Sequence, residues 1–141
     1  FPPWMVERCT FDPAGKQLDI YVDFSPGGEF ACPACGRQGC KAYDTMNKVW
    51  RHLNFFQHVT YLHVRTPRVE CPDCGVKQVP VPWARETSGF TLLFEAFIMA
   101  MAKEMPVKAI ARHPYLASPS PLRRRGSERA RLLQRLHGRH G

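Results

Sequence analysis

Two turns of the form Cys-Pro-x-Cys-Gly, Cys32 to Gly36 and Cys71 to Gly75, constrain this chain more than anything else in it. Thirty-five residues separate Cys35 from Cys71. Two thiolates two residues apart can grip one metal ion from a tight turn, and two such turns supply the four sulfurs of a closed tetrahedral zinc site. A glycine directly after each pair suits the positive φ that lets the backbone wrap a metal. The competing readings are disulfides or redox pairs. A redox Cys-x-x-Cys ordinarily comes once and near a βαβ pattern, and no such pattern is visible. The expectation is therefore one structural zinc ion held by Cys32, Cys35, Cys71 and Cys74. Such a closed site holds a fold and leaves no coordination position for catalysis.

A chain of 141 residues suffices for one modest domain or two small ones, and 44% hydrophobic residues make it more than a disordered polymer. No uncharged apolar run approaches membrane-spanning length, since Glu95 interrupts the stretch from Phe90 to Ala102. Glu7, Arg8 and Asp12 follow Phe1-Pro2-Pro3-Trp4 too soon for a secretory leader, and Phe1 implies an incomplete or processed start. Six cysteines without a leader point to a reducing, cytoplasmic compartment, where thiols prefer metal to disulfide. The net charge of +8 is unevenly spread: residues 1–122 carry 13 Lys and Arg against 11 Asp and Glu, whereas residues 123–141 carry 7 Arg against 1 Glu. Global charge is thus weak evidence for a polyanion partner, and that argument must rest on local patches or on the tail.

Gln17 to Phe24 alternates apolar and polar residues as a half-buried strand does, and Ser25-Pro26-Gly27-Gly28 reads as a turn. Lys41 to Asn47 reads as irregular, Val49 to Phe56 as a weak strand, His58 to Thr66 as a stronger one, and Val76 to Val79 as a short one. Strand, metal turn, strands, metal turn, strand is the order of a zinc ribbon, in which the metal compensates for a small core. Pro80 and Pro82 end the β part. Thr91 can cap a helix running to about Met105, with Phe94, Phe97, Ile98, Met101 and Met105 on one face, and Pro106 opens a second helix over Val107 to Arg112. Residues 114–126 read as disordered, and 127–137 as a short basic helix through Leu132, Leu133 and Leu136. The fold class expected is small α+β: a zinc-ribbon β domain over 1–82, a short helical segment over 83–113, and a Pro/Arg-rich disordered tail over 114–141.

In order, the first metal turn, Tyr43-Asp44, Arg51-His52-Leu53, the strand Tyr61-Leu62-His63-Val64-Arg65, the second metal turn, Arg85-Glu86-Thr87 and the following helices resemble the N-terminal part of insertion-sequence transposases of the ISL-three family. The resemblance covers roughly residues 30–113. It implies a helix-turn-helix beginning at Val107-Lys108-Ala109-Ile110-Ala111-Arg112, and a module that recognises the terminal inverted repeats of a transposon in the bacterial cytoplasm, at the nucleoid. The family's strand cleavage and transfer use a three-carboxylate, two-metal core well beyond the matched region, and no carboxylate here matches it. Where a recognition helix is expected, this chain has Pro114-Tyr115-Leu116-Ala117-Ser118-Pro119. A truncated or frameshifted copy is the reading of that departure, so the helix-turn-helix is expected to be partial and the chain not to be an enzyme.

Candidate DNA contacts are Arg51, His52, Arg65, Arg68, Lys77, Lys108 and Arg112; the bland alternative is a solvated strand face. His58 and His63, like His52, are poor metal ligands when four sulfurs already complete a site. Cys9 and Cys40 read as ordinary small thiols. Trp50, Phe55 and Phe56 could stack on bases, but core packing is the simpler expectation. The apolar helix face suits a core or an interface. It keeps open a second reading: a zinc-stabilised interaction or regulatory fragment that forms a homo-oligomer or associates with an intact transposase. A zinc enzyme is disfavoured because no His/Glu set with an open site is visible.

Overall fold

The computed structural model describes residues 2–113 and Leu116. Six strands are followed by two helices: β1 (Trp4–Asp12), β2 (Gln17–Phe24), β3 (Glu29–Phe30), β4 (Cys40–Phe55), β5 (His58–Cys71), β6 (Gly75–Gln78), α1 (Leu92–Glu104) and α2 (Val107–Arg112). They form one sheet in the order β1-β2-β5-β4-β3, with β6 also paired to β5. All pairings are antiparallel except β2 with β5, where Gln17 lies opposite Val59 and Val22 opposite Val64. The connection between those parallel strands runs through β3 and β4, so no helix crosses over. β5 is the organising strand. β4 lies along one edge of it, and β2 and then β6 share the other.

The alternation over Gln17 to Phe24 corresponds to β2, with the bounds expected. Lys41 to Asn47, expected to be irregular, instead belongs to the long strand β4. Its side chains lie mostly at the surface on both faces, so no period of two marks it; backbone pairing of Ala42 with Val69 and Asn47 with Arg65, across a bulge, makes it a strand. β1 gave no signal for the same reason, being an exposed strand that, among the described strands, pairs with β2 at the edge of the sheet. β5 continues past Thr66 through Pro67, whose carbonyl accepts from Val79 N–H at 3.1 Å and Gln78 Nε2 at 2.9 Å.

Three apolar clusters fill the fold. Phe24, Phe30, Cys40, Val69 and Val79 surround the buried cysteines Cys32 and Cys71. Trp50, Val64 and Ala84 form the second, and Phe90, Phe94, Ile98, Ile110 and Leu116 the third. Trp4 meets Phe24, Phe30 and Trp83 ring to ring, and Trp83 meets Trp50, so aromatic contacts run from the first cluster into the second. The helices have the limits read from sequence. Thr91 caps α1 by accepting from Phe94 N–H at 3.3 Å, and Pro106 precedes α2. The expected helix at 127–137 and the disorder expected over 114–126 fall outside the described residues, apart from Leu116, which is buried in the cluster that holds Phe94 and Ile110. No helix among the described residues is long and apolar enough to cross a membrane.

Candidate metal centre and nucleic-acid interface

The two Cys-Pro-x-Cys-Gly turns meet at the far ends of β5 and β3. One ligand atom from each of Cys32, Cys35, Cys71 and Cys74 lies within 4.8 Å of all the others. Each turn is built by its glycine: Gly36 and Gly75 both have φ of +77°, and Gly36 N–H closes the first turn onto Cys32 O at 2.8 Å. Cys32 N–H donates to Arg37 O at 2.9 Å, and Arg37 pairs with Asp73 at 3.0 Å, clasping one turn to the other. Cys35 Sγ and Cys71 Sγ are 3.7 Å apart. A tetrahedron with metal–sulfur bonds of about 2.3 Å has edges of about 3.8 Å. A disulfide needs about 2.05 Å. The cluster therefore has the dimensions of a zinc site and not of a disulfide.

The thiols prepare the site electrostatically. Backbone N–H groups of Cys35 and Ala34 bring the Cys32 thiol down to about 7. The Cys35 side chain, aided by burial, pushes Cys74 up to about 12. Crowded sulfurs cannot all ionise without a cation between them, and a zinc ion supplies it. Cys40 is buried under the cluster, its thiol held up by burial and by Cys71, but its sulfur points to Arg37 O at 3.6 Å; Cys9 is exposed. The three histidines considered lie elsewhere. His63 Nε2 pairs with Asp19 at 2.5 Å and stacks on Tyr21, His58 packs on Phe11, and His52 faces Thr91.

The candidate DNA contacts divide by burial. Arg51 is only 7% exposed. Its guanidinium reaches His52 O, Asn54 Oδ1 at 2.6 Å and Thr60 O at 3.4 Å, and lies over the Phe94 and Tyr61 rings. This inward placement counts against a phosphate contact and makes Arg51 the post on which α1 rests. Burial and the Arg51 charge lower the His52 pKa. Arg68 is engaged bidentately by Asp44, whose carboxyl that contact holds below its usual range. Arg65 pairs with Asp23 at 3.1 Å. Lys77, Lys108 and Arg112 are exposed. Lys77 and Lys48 line a cavity of ≈ 480 Å³ beside Pro33 and Ala34 of the first metal turn, with Trp50 and Thr66 among its walls. Trp50 is core, as expected, but Phe55 and Phe56 are not: both sit exposed at the β4–β5 hairpin end, where no described element covers the sheet.

Sequence reading missed the joint between sheet and helices. Arg51 N–H donates to Gly89 O at 2.8 Å, and Thr91 N–H to Arg51 O at 3.0 Å. Glu95, buried in the first turn of α1, accepts from Ser88 Oγ at 2.6 Å and pairs with Arg85 at 2.9 Å. The only advance signal was a lone carboxylate in an apolar run, which demands a partner.

The description "zinc-finger of transposase IS204/IS1001/IS1096/IS1165" matches residues 28–74, and "Helix-turn-helix domain of transposase family ISL3" matches residues 79–113. The chain is similar to the transposase for insertion sequence element IS1557 from two strains of Mycobacterium tuberculosis, with 39% identity over 72 residues. That match covers 48% of this chain and 16% of the relative's own length. No solved structure matches the chain.

Proposed function

We propose that this chain, which carries the zinc-ribbon and helix-turn-helix domains of ISL3-family transposases, is a zinc-dependent DNA-binding module that recognises transposon terminal inverted repeats in DNA transposition. Cys32, Cys35, Cys71 and Cys74 hold the ion. The ribbon, residues 1–82, and the helical segment, 83–113, act as one DNA-binding body. The supporting observation is that β4 begins beside the four-sulfur cluster and carries α1 on Arg51 further along, so the metal organises the strand that positions the helices. Lys77, Lys108 and Arg112 contact phosphate. Arg65 and Arg68 contribute less, because Asp23 and Asp44 already neutralise them. Arg51 and His52 support the helix and do not touch DNA. Strand cleavage and transfer are assigned to no residue of this chain.

The test is fluorescence anisotropy on terminal-repeat and scrambled duplexes, with the chain zinc-loaded or chelated. Zinc-loaded protein is expected to bind and to prefer the repeat, and chelated protein to lose both. Zinc-loaded protein that binds no duplex even at about 50 mM salt, where phosphate contacts are strong, overturns the reading.

A second reading has one observation behind it. α1 buries Phe94 and Ile98 but leaves Leu93 61% exposed, with Leu92 and Met99 also outward. Such a face suits association with a second copy or with an intact transposase. Sedimentation of wild type and Leu93→Glu, alone and mixed with an intact transposase, tests this reading, since both forms of association depend on that face and DNA binding does not.

A further inference from the structure

We propose that the Phe55–Phe56 tip of the β4–β5 hairpin is an aromatic wedge that enters the base stack of duplex DNA beside the helical segment. The proposal rests on the DNA-binding reading above. Phe56 is 83% exposed and Phe55 52% exposed, and their rings meet edge to face at 4.9 Å. Phe56 also has φ of +52°, a left-handed conformation that favours glycine and disfavours a bulky side chain. The fold gains little burial from this residue and bears backbone strain to keep it. Such a residue at a hairpin end points to a use outside the fold.

The tip is braced from within. Phe55 N–H donates to Thr60 Oγ1 at 3.1 Å, His58 Nδ1 lies 3.3 Å from Phe55 O, and Val59 N–H donates to Lys16 O at 2.8 Å, joining the neighbouring β1–β2 turn. That turn brings Phe11, 51% exposed, against His58 with ring centroids 4.5 Å apart. Aromatic rings carried on a braced backbone lose little freedom on binding, which is what a stacking or wedging side chain needs.

Position and charge select the occupant. β5 separates the tip from the metal cluster by roughly 40 Å at about 3.3 Å per residue. The tip is therefore not part of the zinc site. It adjoins the helices instead: His52, three residues before Phe55, places Nδ1 2.8 Å from Oγ1 of Thr91, the cap of α1. From Thr45 to Val69 there is no Asp or Glu, so the hairpin's two carboxylates, Asp44 and Glu70, both lie at the end away from the tip, and Asp44 is paired with Arg68. On the adjoining turn, Asp12 is engaged by Gly15 N–H at 2.9 Å.

The experiment uses the full zinc-loaded chain and duplexes with 2-aminopurine at a flexible T-A step, in a terminal-repeat and in a scrambled sequence. Wedging unstacks the probe and raises its fluorescence. Phe56→Gly, which suits the positive φ, is expected to melt no lower than wild type, to lose most of the fluorescence rise, and to bind about fivefold or more weakly. Phe55→Ser is the second variant and should act in the same direction. If wild type binds by anisotropy but leaves the probe stacked, the wedge is wrong and the DNA-binding reading survives. If wild type binds no duplex, both fall. If Phe56→Gly binds DNA normally but dissociates a dimer in sedimentation, the tip is a protein interface and the wedge is overturned.

Discussion

Thr91 N–H donates to the carbonyl of Arg51 at 3.0 Å, and through this bond the cap of α1 is registered on the longest strand of the ribbon. β4 begins at Cys40, packed in one apolar cluster with Cys32 and Cys71, and reaches the helices at Arg51, so perturbing one end is expected to be felt at the other.

Arg51→Ala is expected to cost about 2–3 kcal/mol in chemical denaturation, because it removes the buried guanidinium's hydrogen bonds to His52 O, Asn54 Oδ1 and Thr60 O and its packing over the Phe94 ring. Lys77→Ala, at an exposed position, should stay within about 0.5 kcal/mol. Equal effects would return Arg51 to the surface.

Cys71→Ser should abolish zinc binding and unfold the ribbon end, since structural zinc supplies roughly 10–16 kcal/mol of apparent free energy in zinc-finger peptides. Cys40→Ser should keep one zinc per chain and lose about 1 kcal/mol, because Cys40 is buried but its sulfur faces Arg37 O. Metal analysis and thermal melts of both variants decide this. Loss of zinc from Cys40→Ser would make Cys40 a ligand.

His52 should make stability fall on acidification. Burial and the Arg51 charge depress its folded pKa below the ordinary histidine value of about 6.5. As pH drops through the unfolded value, the unfolded chain therefore takes up the proton first, and stability declines until the folded pKa is also passed. The structural cost lies at Thr91: its hydroxyl oxygen accepts from Phe94 N–H and so its proton is best given to a neutral Nδ1, 2.8 Å away. Melts from about pH 5 to 7.5 on wild type and His52→Asn test this, with the variant also removing the shared response of the thiolates from the comparison. An unchanged pH slope in His52→Asn would exclude this role.

Lys77, Lys108 and Arg112 should each lower the slope of log affinity against log salt by about 0.9 when changed to Ala, as expected for phosphate contacts. Deleting 123–141, which removes 7 Arg, should flatten the slope further without disturbing Leu116, which packs in the core. A deletion that leaves slope and affinity unchanged would show that the tail takes no part.

Elements with a local signature were legible in the sequence. The metal turns declare themselves through Cys-x-x-Cys spacing and the following glycine, and both glycines adopt the positive φ expected. β2 shows through alternation, and α1 and α2 through Thr91, Pro106 and helical periodicity. β1 and the first half of β4 were not legible, because their strand character comes from backbone pairing with partners distant in sequence and leaves no apolar period.

The sequence by itself determined the ligand pair and the geometry of each metal turn and the helix limits, because each depends on residues within a few positions of one another; the meeting of the two turns, 35 residues apart, is tertiary. Only the tertiary structure decided which cations face solvent. Arg51, Arg65, Arg68 and Lys77 are alike in sequence, yet one is buried, two are neutralised by aspartates more than 20 residues away, and one is exposed. Tertiary structure likewise decided that Phe55 and Phe56 stand outside the core. The physical reason is common to both: desolvation and pairing energies depend on what lies across the fold, and a hairpin end lies beyond whatever covers the sheet.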